Sequence, residues 1–205
     1  MKRSRTLQLI IIANLTALGV LFYFFPKFSL PIFPTFLEFH FSNLPAIIGG
    51  YALGPIAGGV IVISKTFLKM LFSDSFFIGE MIDLIIGLST VMVSSLIYKK
   101  FRTKKGAIYG MIAGVFTWVI VAVLANYFFV IDLYVELFFQ GNAQILVDYL
   151  TMIPGVTIDN YLEKYILYAA IPFNLMISIL VYSVTFLVYK RISHLIDDLA
   201  KRFQK

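Results

Sequence analysis

The chain of 205 residues has no cysteine, which excludes a disulfide framework and a thiolate metal site. Its two histidines, His40 and His194, are too few and too far apart to suggest a metal centre. Charge is also scarce: charged residues make up 14% of the chain, against about 25% in an ordinary soluble domain. Gly-x-Ser-x-Gly, His-Glu-x-x-His and the Gly-Lys-Ser/Thr phosphate loop are all missing. No catalytic residue, metal ligand or cofactor is therefore expected, and any ATP-driven step would belong to another polypeptide. There is also no internal repeat, which argues against a self-contained transporter built from inverted halves.

Apolar residues are abundant instead, at 60% of the chain with mean hydropathy +0.90. They fall in long blocks rather than amphipathic stripes, so the bulk of the protein is read as dissolved in lipid. The recurrence of such blocks, and the lack of a small-residue cleavage site after Lys2–Val20, make the first a span rather than a signal peptide. The expected fold class is an all-α integral membrane protein, a single membrane domain over residues 1–205. Its six segments are approximately 6–25, 43–53, 54–71, 78–98, 106–130 and 163–189. The second is short, and Gly54-Pro55 divides it from the third. A proline there suits the first turn of a new helix, so the two are expected to form a tight hairpin. Interrupted segments of this kind often flank a binding cavity.

Charge placement gives the topology. Thirteen of the seventeen basic residues lie in the N-terminal tail (Lys2, Arg3, Arg5), the loop between segments four and five (Lys99, Lys100, Arg102, Lys104, Lys105) and the C-terminal tail (Lys190, Arg191, Lys201, Arg202, Lys205). Six spans put all three on one side, cytoplasmic by the positive-inside rule, with both termini there. Nine of the eleven acids fall on the other side. The net charge of +6 is thus a membrane signature rather than a nucleic-acid one. The outer side carries two long connections, 26–42 and 131–162, and the shorter turn 73–79. Leu137, Phe138, Ile145, Leu146, Tyr149 and Leu150 would make a short amphipathic helix at the interface.

The stretch Leu30–Gly59 holds four prolines and a row of phenylalanines (Phe33, Phe36, Phe39, Phe41). Proline fixes φ and removes a donor, so this is a stiff aromatic lid over 30–41. It leads into a short helix capped by Ser42 or Asn43, then a turn at 54–59. Within the apolar blocks, Asn126 and Asn174 are the strongest functional candidates, because an unpaired amide in lipid is costly. An amide offers donor and acceptor together, which suits the edge of a heterocycle; the alternative is a bond to neighbouring backbone at a kink. Glu80 and Asp83 share a helix face and would serve either the helix dipole or ligand hydroxyls. Lys65 and Lys69, four apart, would snorkel or pair with them. Ala13 and Ala17 form a small-xxx-small pair for close helix approach. Gly106, Gly110 and Gly114 make a second small face, read as intramolecular packing.

Taken in order, Phe33-Pro34-Thr35-Phe36-Leu37, Ser42-Asn43-Leu44-Pro45-Ala46, Gly54-Pro55-Ile56-Ala57-Gly58, Gly79-Glu80, Gly106-Ala107-Ile108-Tyr109-Gly110, Asn126-Tyr127-Phe128 and Pro172-Phe173-Asn174-Leu175 resemble the riboflavin-binding S-components of energy-coupling factor (ECF) vitamin transporters, over nearly the whole length. The resemblance implies a six-helix subunit of the bacterial cell membrane that captures riboflavin at its outer face, as a transported ligand and not a cofactor. It implies that Asn126 and Asn174 hydrogen-bond the flavin ring. Thr35, Phe36, Leu37, Glu38, Tyr127, Glu80 and Asp83 complete the candidate site. Ala13 and Ala17 would dock on a transmembrane coupling subunit (T-component) that carries two ATPases. Three positions depart from the family pattern: Ile177 stands for a lysine, Asn43 for an aspartate and His40 for an acid. The alternatives are the same role for another vitamin or flavin, such as FMN or roseoflavin, or a membrane protein with no cargo.

Overall fold

The computed structural model describes residues 5–202, with side chains described to residue 188. Lys2, Arg3 and Lys205 lie outside the described residues, as do the side chains of Lys190, Arg191, His194, Lys201 and Arg202. Helix α1 is Arg5–Phe24, α2 Asn43–Leu53, α3 Pro55–Met70 and α4 Ile78–Phe101. Helix α5 runs over Lys104–Phe139 through a π turn at Asn126–Val130. Helix α6 is Ala143–Tyr149, and α7 joins Tyr161–Tyr165, a π turn at Ile166–Ala170 and Ile171–Arg202 into one rod. Among the described residues there is no strand; an isolated bridge pairs Phe28 with Phe39.

Four helices (α1, α4, α5, α7) are long and apolar enough to cross a membrane. The hairpin expected at Gly54-Pro55 is present: Gly54 takes φ 106°, and Pro55 opens α3 at a position where its missing N–H costs nothing. Helix α2 has 11 residues, about 16 Å of helix against a hydrocarbon core of about 30 Å. It cannot cross alone, and it lies in the middle of the bundle. Residues 43–51 are all buried, packed on α1, α3, α4 and α7. A helix that is apolar on every side has no face to give to water.

Small residues set the closest approaches. A Cβ on Gly58 would lie 2.8 Å from the Gly50 Cα and 3.0 Å from the Ala46 carbonyl oxygen. The small face of α5 is also intramolecular: a Cβ on Gly110 would meet the Ser94 carbonyl oxygen at 2.6 Å, and one on Gly114 the Tyr182 hydroxyl at 2.0 Å. Ala13 and Ala17 lie on an exposed face of α1.

Three expectations are corrected. The fifth segment does not end at 130, because the π turn keeps the backbone helical to Phe139; the connection expected over 131–162 therefore begins at Gln140. The amphipathic helix expected across Leu137–Leu150 is split. Gln140 and Gly141 both have positive φ and break it, leaving Leu137 and Phe138 on α5 and Ile145, Leu146 and Tyr149 on α6. Finally, neither Ser42 nor Asn43 caps α2: the Ser42 hydroxyl accepts from Lys65 at 2.8 Å and the Asn43 amide donates to Asp83 at 2.9 Å, so both side chains serve tertiary contacts.

Candidate functional site

The segment between α1 and α2 folds over one end of the bundle. Its two arms are joined by the reciprocal backbone bonds Phe28 N–H to Phe39 O (3.2 Å) and Phe39 N–H to Phe28 O (2.7 Å). Phe33 and Phe39 turn inward and meet the Phe173 ring of α7 edge-on, with centroids 5.5 and 4.7 Å apart. Phe36 stacks on Tyr134 at 5.2 Å. The lid is thus held by aromatic contacts to α5 and α7 at separations where such pairs attract.

Beneath it is a cleft of about 880 Å³, the part open to solvent included. One wall comes from α5 and α7 and is mostly aromatic and apolar: Trp118, Val130, Tyr134, Tyr165, Phe173 and Ile177, with the amides of Asn126 and Asn174 among them. Each amide is held the same way. Asn126 Nδ2 donates to the Ala122 carbonyl and Asn174 Nδ2 to the Ala170 carbonyl, both at 2.8 Å and both one helical turn back. Their oxygens accept from Tyr165 OH and Trp118 Nε1, both at 3.1 Å. So the backbone bond expected of a bland asparagine is present in both, and yet both face the cleft. Each keeps one N–H and one lone pair uncommitted, which is enough to meet a heterocycle edge. Asn126 opens one π turn, and Ala170 closes the other. Such turns recur at functional sites, because the extra residue re-aims side chains.

The other wall comes from α1, α3, α4 and the lid, and it is charged. Lys65 is fully buried and pairs with Asp83, while Lys69, 2% exposed, pairs with Glu80 at 3.1 Å. Pairing rather than snorkelling therefore describes both lysines. Asp83 also accepts from Asn43, and the second oxygen of Glu80 accepts from Ser73 and Ser75, both at 2.9 Å. Both ammonium groups lie 5.3 Å from the centre of the Tyr23 ring. At the mouth, Lys27 bridges Glu38 (2.7 Å) and Asp74 (3.6 Å), tying the lid to the α3–α4 turn. Burial works against charge on Lys27, but Glu38 outweighs it and holds its pKa above the ordinary lysine value. Burial likewise opposes ionisation of Asp74, and the Lys27 and Lys69 charges overcome it, so Asp74 stays below the usual carboxylate range. His40 stacks on Tyr23 at 4.4 Å, and burial, only partly offset by Asp83, pushes it down to about 4. It is neutral at pH 7.

Of the residues singled out from the sequence, Asn126, Asn174, Phe36, Leu37, Glu38, Glu80 and Asp83 line the cleft. Thr35 and Tyr127 do not; both are exposed. A helix turns by roughly 100° per residue, so Tyr127 cannot share the inward direction of Asn126, and it packs edge-on against Phe128 instead. Trp118 and Tyr165, which hold the amides, were not anticipated. Trp118, Ala122 and Asn126 recur every four residues, and that spacing was the available signal for the first. Tyr165 had none. Among the described residues there is no cluster of ligating side chains suited to a metal ion.

The chain matches a family model described as "ECF transporter, substrate-specific component" over residues 7–189. It is 30% identical to the riboflavin transporter RibU of Staphylococcus aureus, over 91% of this chain and 90% of that one. It is 22% identical to the riboflavin transporter FmnP of Bacillus subtilis, over 84% and 85% of the two chains. A solved structure of the S component of a bacterial ECF transporter superposes with a TM-score of 0.68 at 26% identity, covering 92% of this chain and 96% of that one.

Proposed function

The chain belongs to the family of substrate-specific components of ECF transporters, and on that premise we propose that it captures riboflavin outside a bacterial cell for ATP-driven uptake. It is a multi-pass membrane protein and a transporter subunit, not an enzyme. The observation that carries the choice of riboflavin is the near-full-length similarity to proteins named as riboflavin transporters. The cleft accords with it. A flat ring system fits between the aromatic side chains of α5, α7 and the lid, with its polar edge toward Asn126 and Asn174.

The finer arrangement is part of the same reading. Six crossings, counting α2 and α3 as one crossing each, put both termini in the cytoplasm and the lid outside. The exposed bases Lys99, Lys100, Arg102, Lys104 and Lys105 at the α4–α5 turn support this orientation. The open Ala13–Ala17 face of α1 is available to a transmembrane coupling subunit, which would connect it to two ATPases.

Protein purified from cells grown with riboflavin should carry a flavin absorption band. A colourless protein that also leaves the fluorescence of added riboflavin unquenched would sink the reading. Asn126→Ala and Asn174→Ala should each weaken binding by about 1–3 kcal/mol, the scale of a lost buried hydrogen bond. Unchanged affinity in both would remove the amides from the site.

A further inference from the structure

The turn between α3 and α4, residues 71–77, is built with its polar groups inside and its rings outside. Ser73 and Ser75 both donate to one oxygen of Glu80 at 2.9 Å. The same hydroxyl oxygens accept from backbone close by, Ser73 from Phe77 N–H at 3.0 Å and Ser75 from Gly79 N–H at 3.1 Å. The Phe72 carbonyl accepts from Lys69 at 3.0 Å, and Asp74 meets Lys27 at the mouth of the cleft. Leu71, Phe72, Phe76 and Phe77, in contrast, are between 51% and 74% exposed. Phe76 and Phe77 both have positive φ, 49° and 66°, a region that is costly for bulky side chains. The chain thus holds two rings outward where glycine would make the same turn without strain.

Such a surface is unsuited to water and suited to lipid, where backbone groups must be satisfied from within and apolar side chains face out. The depth agrees. From Ile78 to Lys99, α4 rises about 32 Å, and a tilt of about 20° reduces this to about 30 Å, the thickness of a hydrocarbon core. With the basic end of α4, Lys99 and Lys100, at one boundary, the turn lies at the other. Its neighbours match. Phe24 at the end of α1 and Phe138 near the end of α5 are exposed too, and they meet Phe72 and Phe76 edge-on at 6.1 and 5.1 Å. We propose that the α3–α4 turn is a lipid anchor: Phe72, Phe76 and Phe77 seat among the acyl chains just below the headgroups of the leaflet on the lid side, while Asp74 of the same turn faces the cleft mouth. Asp74, Ser75, Gly79 and Glu80 all line the cleft, so the bilayer holds this wall from outside.

The absence of cysteine allows a nitroxide to be placed at one position at a time. Phe72→Cys, Phe76→Cys and Phe77→Cys are labelled in the full chain in phosphatidylcholine–phosphatidylglycerol liposomes. Collision of each label with oxygen, which concentrates in lipid, is compared with collision with a water-soluble nickel chelate. Phe116→Cys, on the exposed face of α5, and Ser29→Cys, beside the lid, set the lipid and water limits. All three labels should favour oxygen and read nearer to the Phe116 limit. Preference for the nickel chelate at 76 or 77 would overturn the proposal. So would shielding from both reagents, because a protein surface would then cover the rings. In a Phe76→Gly/Phe77→Gly background, whose backbone fits both positive φ values, the label at Phe72→Cys should shift toward the water limit. An unchanged reading there would show that the two rings do not hold the turn in place, and would also overturn the anchor. None of these readings involves riboflavin, so the anchor and the riboflavin reading fail separately.

Discussion

Lys65 is a full positive charge in the middle of an apolar bundle, and it is tolerable only because Asp83 and Ser42 meet it there. Removing one member of a buried ion pair leaves the other uncompensated, at a cost of about 3–5 kcal/mol, whereas an apolar pair of similar volume is often neutral. Lys65→Met should therefore lower the melting temperature in detergent sharply, and Lys65→Met with Asp83→Leu should recover most of the loss. A single variant that melts like the unaltered protein would show that the pair is not dry. The asparagines obey the same rule on a smaller scale. Their presence in apolar blocks marked them from sequence, since an amide needs partners in lipid. Which partners it has was not legible, because Tyr165 lies 39 residues from Asn126 and Trp118 lies 56 from Asn174.

Among the elements, α2 is where local pattern and tertiary role part company. Its apolar, glycine-containing sequence has no preferred face, and only the surrounding helices make it a central element. The hairpin with α3 depends on backbone contact at Gly58, where a side chain would collide with Gly50 and Ala46. Gly58→Leu should destabilise the protein by about 1–3 kcal/mol or more, through overpacking that backbone cannot relieve. The measurement is thermal unfolding in detergent, and an unchanged midpoint would mean that α2 and α3 are not packed this closely. The end of α5 shows the reverse limit. Residues 131–139 follow the apolar block 106–130 and are expected in the connection 131–162. A π turn absorbs the irregularity and continues the helix, and it needs no glycine or proline to announce it.

For the whole molecule, the absence of cysteine makes orientation directly measurable. Ser29 and Lys104 are both exposed, one beside the lid and one at the basic turn. In intact cells a membrane-impermeant maleimide should label Ser29→Cys and spare Lys104→Cys, and the reverse result would invert the topology. The sequence by itself determined that this chain is helical and lipid-embedded, because long apolar blocks with bases at their ends have no stable alternative. It also determined where the hairpin turns, since Gly54 is free to take the positive φ of the turn and Pro55 fixes φ at the first position of the next helix. Only the tertiary structure decided that Glu80 and Asp83 are bound to Lys69 and Lys65 within one cleft wall, and that Thr35 and Tyr127 face away from it. Burial and pairing depend on which helices meet, and those contacts join residues far apart in the chain.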